Sequence, residues 1–204
     1  MRHYLIILLL CCFGHLWAGT GTINFVETTV ELKTNGEATV AYTVQYEVLD
    51  GELHGFYFSG LDKLPVFGFY DESYAVDDKG NRYKLSISET GNGVWDIVLA
   101  DGIGISSGNV TYVFYFTTNF NEAQYLVNTQ ANDGRKLVVF NWSPSEFDES
   151  ENMDHYTLKV VIPFQVPSGI GILREYFMNN NIILTEKFVN EKFKIDYQIV
   201  PGVT

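Results

Sequence analysis

Gly104-Ile105-Ser106-Ser107-Gly108 has the Gly-x-Ser-x-Gly spacing of a nucleophile elbow, a pattern whose residue types point directly at catalysis. In such an elbow a strand turns sharply into a helix. The serine hydroxyl stands exposed at the turn, and the next backbone N–H helps to hold an oxyanion. Here Gly108 is followed by Asn109-Val110-Thr111-Tyr112-Val113-Phe114, which is β-branched and aromatic and reads as a strand. With a strand where the helix belongs, the segment reads as a Gly/Ser loop. A Ser-His-acid triad would also have to recruit His54 or His155. His54 lies in the connecting stretch Asp50 to Gly55, and His155 opens a strand and reads as a surface residue.

Metal chemistry finds equally little support. No His-x-x-x-His or Cys-x-x-Cys spacing is present. The acidic run Glu146-Phe147-Asp148-Glu149-Ser150-Glu151-Asn152-Met153-Asp154 offers oxygens to calcium, but it lacks the Asp-x-Asp-x-Asp-Gly order and the turn glycine. It reads as a solvated acidic loop. Paired carboxylates for glycoside hydrolysis are defined by their separation in space, and nothing local singles out two of the 25 acids. The sequence therefore assigns no catalytic, metal-ligating or cofactor-binding residue.

Aromatics are the remaining chemical resource. Most alternate inside strand patterns and read as core. The stretch holding Phe56, Tyr57, Phe58, Phe67, Phe69, Tyr70 and Tyr74 is less regular, being interrupted by Gly55, Gly60, Pro65 and Gly68. Aromatic faces stack on sugars and anchor protein interfaces, so these seven residues are the candidate interaction surface. Asn109-Val110-Thr111 is also a glycosylation sequon, relevant in a eukaryotic host, and Asn141-Trp142-Ser143 is one weakened by Pro144.

The N-terminus explains where such a surface would work. Arg2 supplies a positive charge, and an apolar run follows from Leu5 through Phe13, leading to Leu16-Trp17-Ala18. This is the layout of a secretory signal peptide, and the run is shorter than the roughly 20 residues needed to span a bilayer. Cleavage is expected after Ala18, with Gly19 as the alternative. Both cysteines, Cys11 and Cys12, lie inside the leader, so no disulfide is expected in the mature chain. Leu10 stands before Cys11, where lipidation requires a small residue. The chain carries a formal net charge of −12, which argues against a nucleic-acid partner. The mature chain has no second run of transmembrane length.

Strand patterns run along the rest of the chain. Val40, Tyr42, Val44, Tyr46 and Val48 alternate with polar residues, and Val26, Val30 and Leu32 precede them across Asn35-Gly36. A two-residue loop there would split the apolar faces. A three-residue loop with Gly36 left-handed pairs Leu32 with Ala38, Val30 with Val40, and Lys33 with Glu37. Only that register keeps one face apolar. Tyr83, Leu85 and Ile87 form another stripe, turned at Glu89 to Gly93 into Val94 to Leu99. Tyr112 to Phe116 is apolar on both faces, as expected of a central strand covered on two sides, and Leu137 to Trp142 is similar. Further stripes run from Tyr156 to Ile162 and from Phe193 to Ile199. One or two helical turns are expected between Ile172 and Met178. Crossover helices are otherwise missing, which points to an all-β fold, an antiparallel β-sandwich with a short C-terminal β extension. The expected organisation is a leader over 1–18, a sandwich over 19–163, and a β extension over 164–204.

The order of features resembles the exported N-terminal domain of an uncharacterised family of predicted membrane proteins, domain of unknown function 2207. The resemblance is carried by Ile23 to Val48, by His54-Gly55-Phe56-Tyr57-Phe58, by Gly108 to Tyr115 and by Leu137 to Pro163. It implies an exported β domain, brings no catalytic residues, and in that family membrane spans usually follow; this chain stops at Thr204 without one. The function expected is a non-enzymatic extracytoplasmic domain, secreted or held in the periplasm or at the cell surface, that binds protein or envelope polymer. The alternative is a carbohydrate-binding or carbohydrate-active protein using carboxylates and aromatics on a sheet face.

Overall fold

In the computed structural model the described residues are 19–61, 63–130, 132–134, 136–145, 147, 153–161, 163 and 193–194. The leader, the helical turns expected at Ile172 to Met178, most of the acidic run and nearly all of the C-terminal extension lie outside them. The strands are β1 (Thr20–Leu32), β2 (Glu37–Asp50), β3 (Gly55–Phe58), β4 (Gly68–Phe69), β5 (Tyr74–Asp77), β6 (Arg82–Gly91), β7 (Val94–Leu99), β8 (Gly108–Asn119), β9 (Leu126–Gln130), β10 (Lys136–Phe140), β11 (His155–Val161) and β12 (Phe193–Lys194). The main sheet runs β12-β11-β1-β2-β8-β5-β6-β7-β3, with β4 beside β5 on β8, and β9 and β10 form a separate pair.

The first hairpin takes the register that its apolar faces require. Leu32 opposes Ala38 and Val30 opposes Val40. Gly36 is left-handed at φ +86°. The Glu37 amide donates to Asn35 Oδ1 at 3.1 Å, and Lys33 Nζ meets Glu37 Oε2 at 3.3 Å. From there β2 and β8 bury alternate residues: Val40, Tyr42, Val44 and Tyr46 on one, Val110, Tyr112, Phe114 and Phe116 on the other. Their register sets Tyr42 opposite Phe114 and Val40 opposite Phe116.

The architecture corrects the expected antiparallel sandwich. The sheet is mixed, because β1 pairs with β11 in parallel and β11 pairs with β12 in parallel. A parallel partner needs a long crossover. The chain between β10 and β11 places Ser145, Phe147 and Met153 in the core. Among the described residues the second apolar layer is not a separate sheet. The main sheet curls into a half-barrel, so that Phe56 and Phe58 of β3 pack on Tyr42, Tyr112 and Phe114.

Two further expectations change. Among the described residues the central strand β8 is fully covered on one face only, with Val113 and Tyr115 half-exposed on the other. The Leu137 to Trp142 run is not central either. Among the described residues its strand β10 pairs only with β9, and Val138 and Val139 are 62% and 46% exposed. What ties this part down is Phe120, edge-on to Phe140 at 5.0 Å and to Trp142 at 5.3 Å.

A buried polar chain crosses the core. The Ser145 amide donates to the Tyr42 hydroxyl at 3.1 Å, and the Tyr156 hydroxyl donates to Ser145 O at 3.2 Å. Thr28 Oγ1 lies 3.1 Å from the same Tyr156 hydroxyl. The Tyr112 hydroxyl, by contrast, is buried without a partner among the described residues. Burial raises the pKa of both phenols, Tyr42 and Tyr112.

Two stability predictions follow from these contacts. Tyr42→Phe strands the buried Ser145 amide and is expected to cost about 1–3 kcal/mol in urea unfolding, whereas Tyr112→Phe removes an unpaired hydroxyl and raises stability by about 1 kcal/mol. Gly36 and Gly80 share a left-handed φ (+86° and +81°), but a Cβ at Gly36 would strike Asn121 Nδ2 while one at Gly80 meets nothing. Gly80→Ala is therefore expected to cost about 1–2 kcal/mol for the backbone alone, and Gly36→Ala measurably more in the same assay.

Candidate functional site

The site begins where β6 leaves the sheet. Arg82, Tyr83 and Lys84 pair with Val76, Ala75 and Tyr74 of β5. From Leu85 onward β6 pairs with β7, which pairs in turn with β3. The lane next to β8 is meanwhile occupied by β4, at Thr117 and Phe116, and then by β5. A tight turn joins them, with the Ser73 amide donating to Tyr70 O at 3.1 Å. The divergence of β4 from β6 opens a cleft of about 510 Å³, lined by Gly68, Phe69, Tyr70, Asp71 and Ser73 on one side and Lys84, Leu85, Ile87 and Trp95 on the other.

Phe69 forms the floor. Its ring centroid lies 4.8 Å from that of Trp95 and 5.4 Å from that of Phe116, so the cleft bottoms on the core. Phe67 and Tyr70 flank Phe69 in the chain and stand 57% and 41% exposed. Two of the candidate aromatics thus stand exposed beside a third that floors the depression. Tyr74 is on the outer face, with the Arg82 guanidinium 3.5 Å over its ring.

The other candidates divide by strand parity. Phe56 and Phe58 are 8% and 0% exposed and belong to the core, while Tyr57 between them is 71% exposed on the opposite face of β3. The Gly-aromatic-aromatic-aromatic run is short, yet a period of two already separates Tyr57 from its neighbours. Trp95, Leu85 and Ile87 are cleft residues absent from the candidate set, because their alternation reads as ordinary core, and Lys84 joins them at the end of the β5 pairing. Only the departure of β6 from β5 exposes them to the cleft.

The residues with catalytic spacing do not assemble a triad. The bridge between Leu53 and Ile105 brings His54 close to the Gly/Ser loop. Its Nδ1, however, lies 2.9 Å from Ile103 O, and its Nε2 faces Glu52 at 3.9 Å. Ser106 is exposed in a loop that runs straight into β8. His155 stacks on Phe25, with ring centroids 5.2 Å apart, and lies 3.6 Å from Glu27. The sequon residue Asn109 is already engaged: its amide N–H donates to Asp78 Oδ2 at 2.7 Å and its Oδ1 accepts from Asn24 at 2.8 Å. Among the described residues no group of three or more His, Cys, Asp or Glu side chains is gathered for a metal, and no helix is long and apolar enough to cross a membrane.

Residues 22–204 match the family model described as "Predicted membrane protein (DUF2207) N-terminal domain". The chain belongs to this family. The DUF2207 domain also resembles two solved structures, native yeast LTA4 hydrolase and native leukotriene A4 hydrolase from Saccharomyces cerevisiae. Identity is 12% and 15%, and TM-scores are 0.37 and 0.36. The matches cover 59% and 58% of this chain but 21% and 18% of those chains, so the chain spans about a fifth of the enzymes' length. No curated protein matches the sequence.

The turn between β5 and β6 closes the end of that pair away from the DUF2207 cleft, and Asp77 organises it. Its carboxylate accepts from the Asn81 side chain at 2.8 Å, from the Tyr83 hydroxyl at 2.8 Å, and from the Lys79 and Asn81 amides at 2.9 Å. The Asn81 side-chain bond, followed by those from Tyr83 and the amides, lowers the Asp77 pKa from 3.8 to about 2 against a smaller opposing effect of burial. A depressed folded pKa gives stability that is present above the unfolded value and lost as pH falls through the folded one. Stability is therefore expected to decline between about pH 4 and pH 2. Asp77→Asn should flatten that part of the profile in acid-unfolding measurements.

Proposed function

We propose that this DUF2207 domain is a non-enzymatic interaction module that works outside the cytoplasm, holding a protein or envelope polymer against the rim of the β4–β6 cleft. The observation that carries the reading is the exposure of Phe67 and Tyr70 beside the cleft floored by Phe69 and Trp95. Large aromatics left in water next to a concave apolar surface are the type of anchor that dominates binding energy at interfaces. The leader-like segment over 1–18 and the membrane-protein description of the family support the extracytoplasmic placement. The acidic chain, at −12, disfavours phosphate-rich partners and favours neutral or basic ones.

The test is retention of the purified chain on the envelope fraction of its host. Wild type is expected to be retained, and the Phe67→Ala/Tyr70→Ala double variant to lose retention at least about tenfold, as truncated aromatic anchors do, with an unchanged unfolding midpoint. Retention of the double variant at the wild-type level sinks the reading. Tyr57→Ala, on another strand, serves as the comparison and should leave retention intact.

A further inference from the structure

The open flank of β6 has a main-chain consequence. In an antiparallel ladder the N–H and C=O of one residue point to the same edge, and alternate residues point to opposite edges. The Asp77 amide donates to Asn81 O, so odd-numbered residues from 81 onward direct their main-chain groups toward β5. On the far side the Leu99 amide donates to His54 O, away from its partner Leu85, which gives the same parity. The β5 strand covers β6 only from Arg82 to Lys84. The main-chain groups of Leu85, Ile87 and Glu89 therefore point into a lane that holds no paired strand among the described residues.

Across that lane β4 is bound, among the described residues, only to β8. The Phe67 amide donates to Thr117 O at 3.0 Å and the Tyr70 amide to Tyr115 O at 2.9 Å. The lane is the cleft itself. Its side-chain lining is apolar at alternate β6 positions, Leu85 and Ile87, with Trp95 of β7 on the same wall and Phe69 opposite. Carboxylates border it: Asp71 lines the cleft, Glu72 follows in the same turn, and Glu89 stands opposite Trp95 at the end of the open run. Lys84 is at the other end.

We infer that the cleft takes an extended segment of a partner polypeptide, added as a strand along Leu85 to Glu89. Its apolar side chains at alternate positions would enter between Ile87, Phe69 and Trp95, and Lys or Arg beyond them would meet Asp71, Glu72 and Glu89. Strand addition draws affinity from main-chain bonds and specificity from pockets for alternate side chains, and both are laid out here in one lane. The inference rests on the interaction reading above and narrows its partner to polypeptide.

The probe is a short synthetic peptide in which leucine and threonine alternate between terminal lysines, titrated into the full-length chain while tryptophan emission is followed. Saturable blue-shifted emission is expected, absent in Trp95→Phe. The same peptide with N-methylated leucines, unable to donate, should bind at least about tenfold more weakly, the equivalent of one or two lost main-chain bonds. A glutamate-ended version should also bind more weakly, with the difference shrinking as salt rises. Ile87→Pro removes an N–H that faces the cleft while leaving the β7 ladder intact, and should weaken the unmodified peptide alone.

Equal binding of the N-methylated and parent peptides overturns the inference, as does a flat Trp95 response. Concentration-dependent dimerisation that Ile87→Pro abolishes assigns the lane to a second copy and overturns the partner claim. Envelope retention that survives protease treatment of the envelope assigns the rim to a polymer and overturns it too. If the peptide fails while the Phe67/Tyr70 double variant still loses retention, only the strand-addition inference falls. If that variant is retained as well, the interaction reading falls with it.

Discussion

Tyr42 sits where the forces that shape this domain meet. Its ring stacks on Phe114 at 5.4 Å and meets Phe58 edge-on at 4.8 Å. The first contact lies within the sheet, between neighbouring strands β2 and β8. The second comes from β3, at the far end of the same sheet. A flat sheet would leave the apolar faces of β2 and β8 in water, and each aromatic side chain buries some 150–250 Å². The sheet closes on itself to bring β3 back over that face. The hydroxyl of Tyr42 then captures the Ser145 amide, which fixes the segment that delivers β11 to β1.

The cleft is a geometric result of that closure. One strand, β6, must belong both to the part of the sheet next to β8 and to the part that folds over the core. It does so by pairing with β5 for three residues and with β7 thereafter. The lane vacated at Leu85 is only partly filled by β4, and Phe69 seals its base against Trp95 and Phe116. Aromatic packing in the core and an open strand flank at the surface are two ends of one deformation.

Local features were the legible ones. The Asn35-Gly36 hairpin follows from keeping Val30, Leu32, Ala38 and Val40 on one face, a constraint confined to ten or so residues. The strand after Gly108, which removes the helix an elbow needs, is local in the same sense. The parallel pairing of β1 with β11 is not, since it links Phe25 to His155 through a segment whose only markers are Ser145, Phe147 and Met153. The expected sandwich failed for a related reason. The apolar face of β2 and β8 is covered by β3, the far end of the same curled sheet, and no local pattern tells such a cover from a separate sheet. Of the seven candidate aromatics, parity in β3 sends Phe56 and Phe58 inward, while the irregular stretch after Gly60 does carry the rim residues. The opposite wall, Leu85, Ile87 and Trp95, carries no local mark of its role.

An unpaired strand flank is normally a hazard, because it templates pairing with any other extended chain. Proteins blunt such edges with charge, bulges and short exposed lengths. The β6 flank has all three: Ser86, Ser88 and Glu89 stand exposed, a register shift follows Glu89, and β5 limits the open run at its start. These devices restrict access without closing the lane, and Phe69 keeps its floor apolar. A flank under selection only for solubility would be simplest to cover by extending β5 past Tyr74. The chain instead turns at Tyr70 to Ser73 and leaves Leu85 and Ile87 facing the gap, an arrangement that suits selective pairing better than the mere avoidance of pairing.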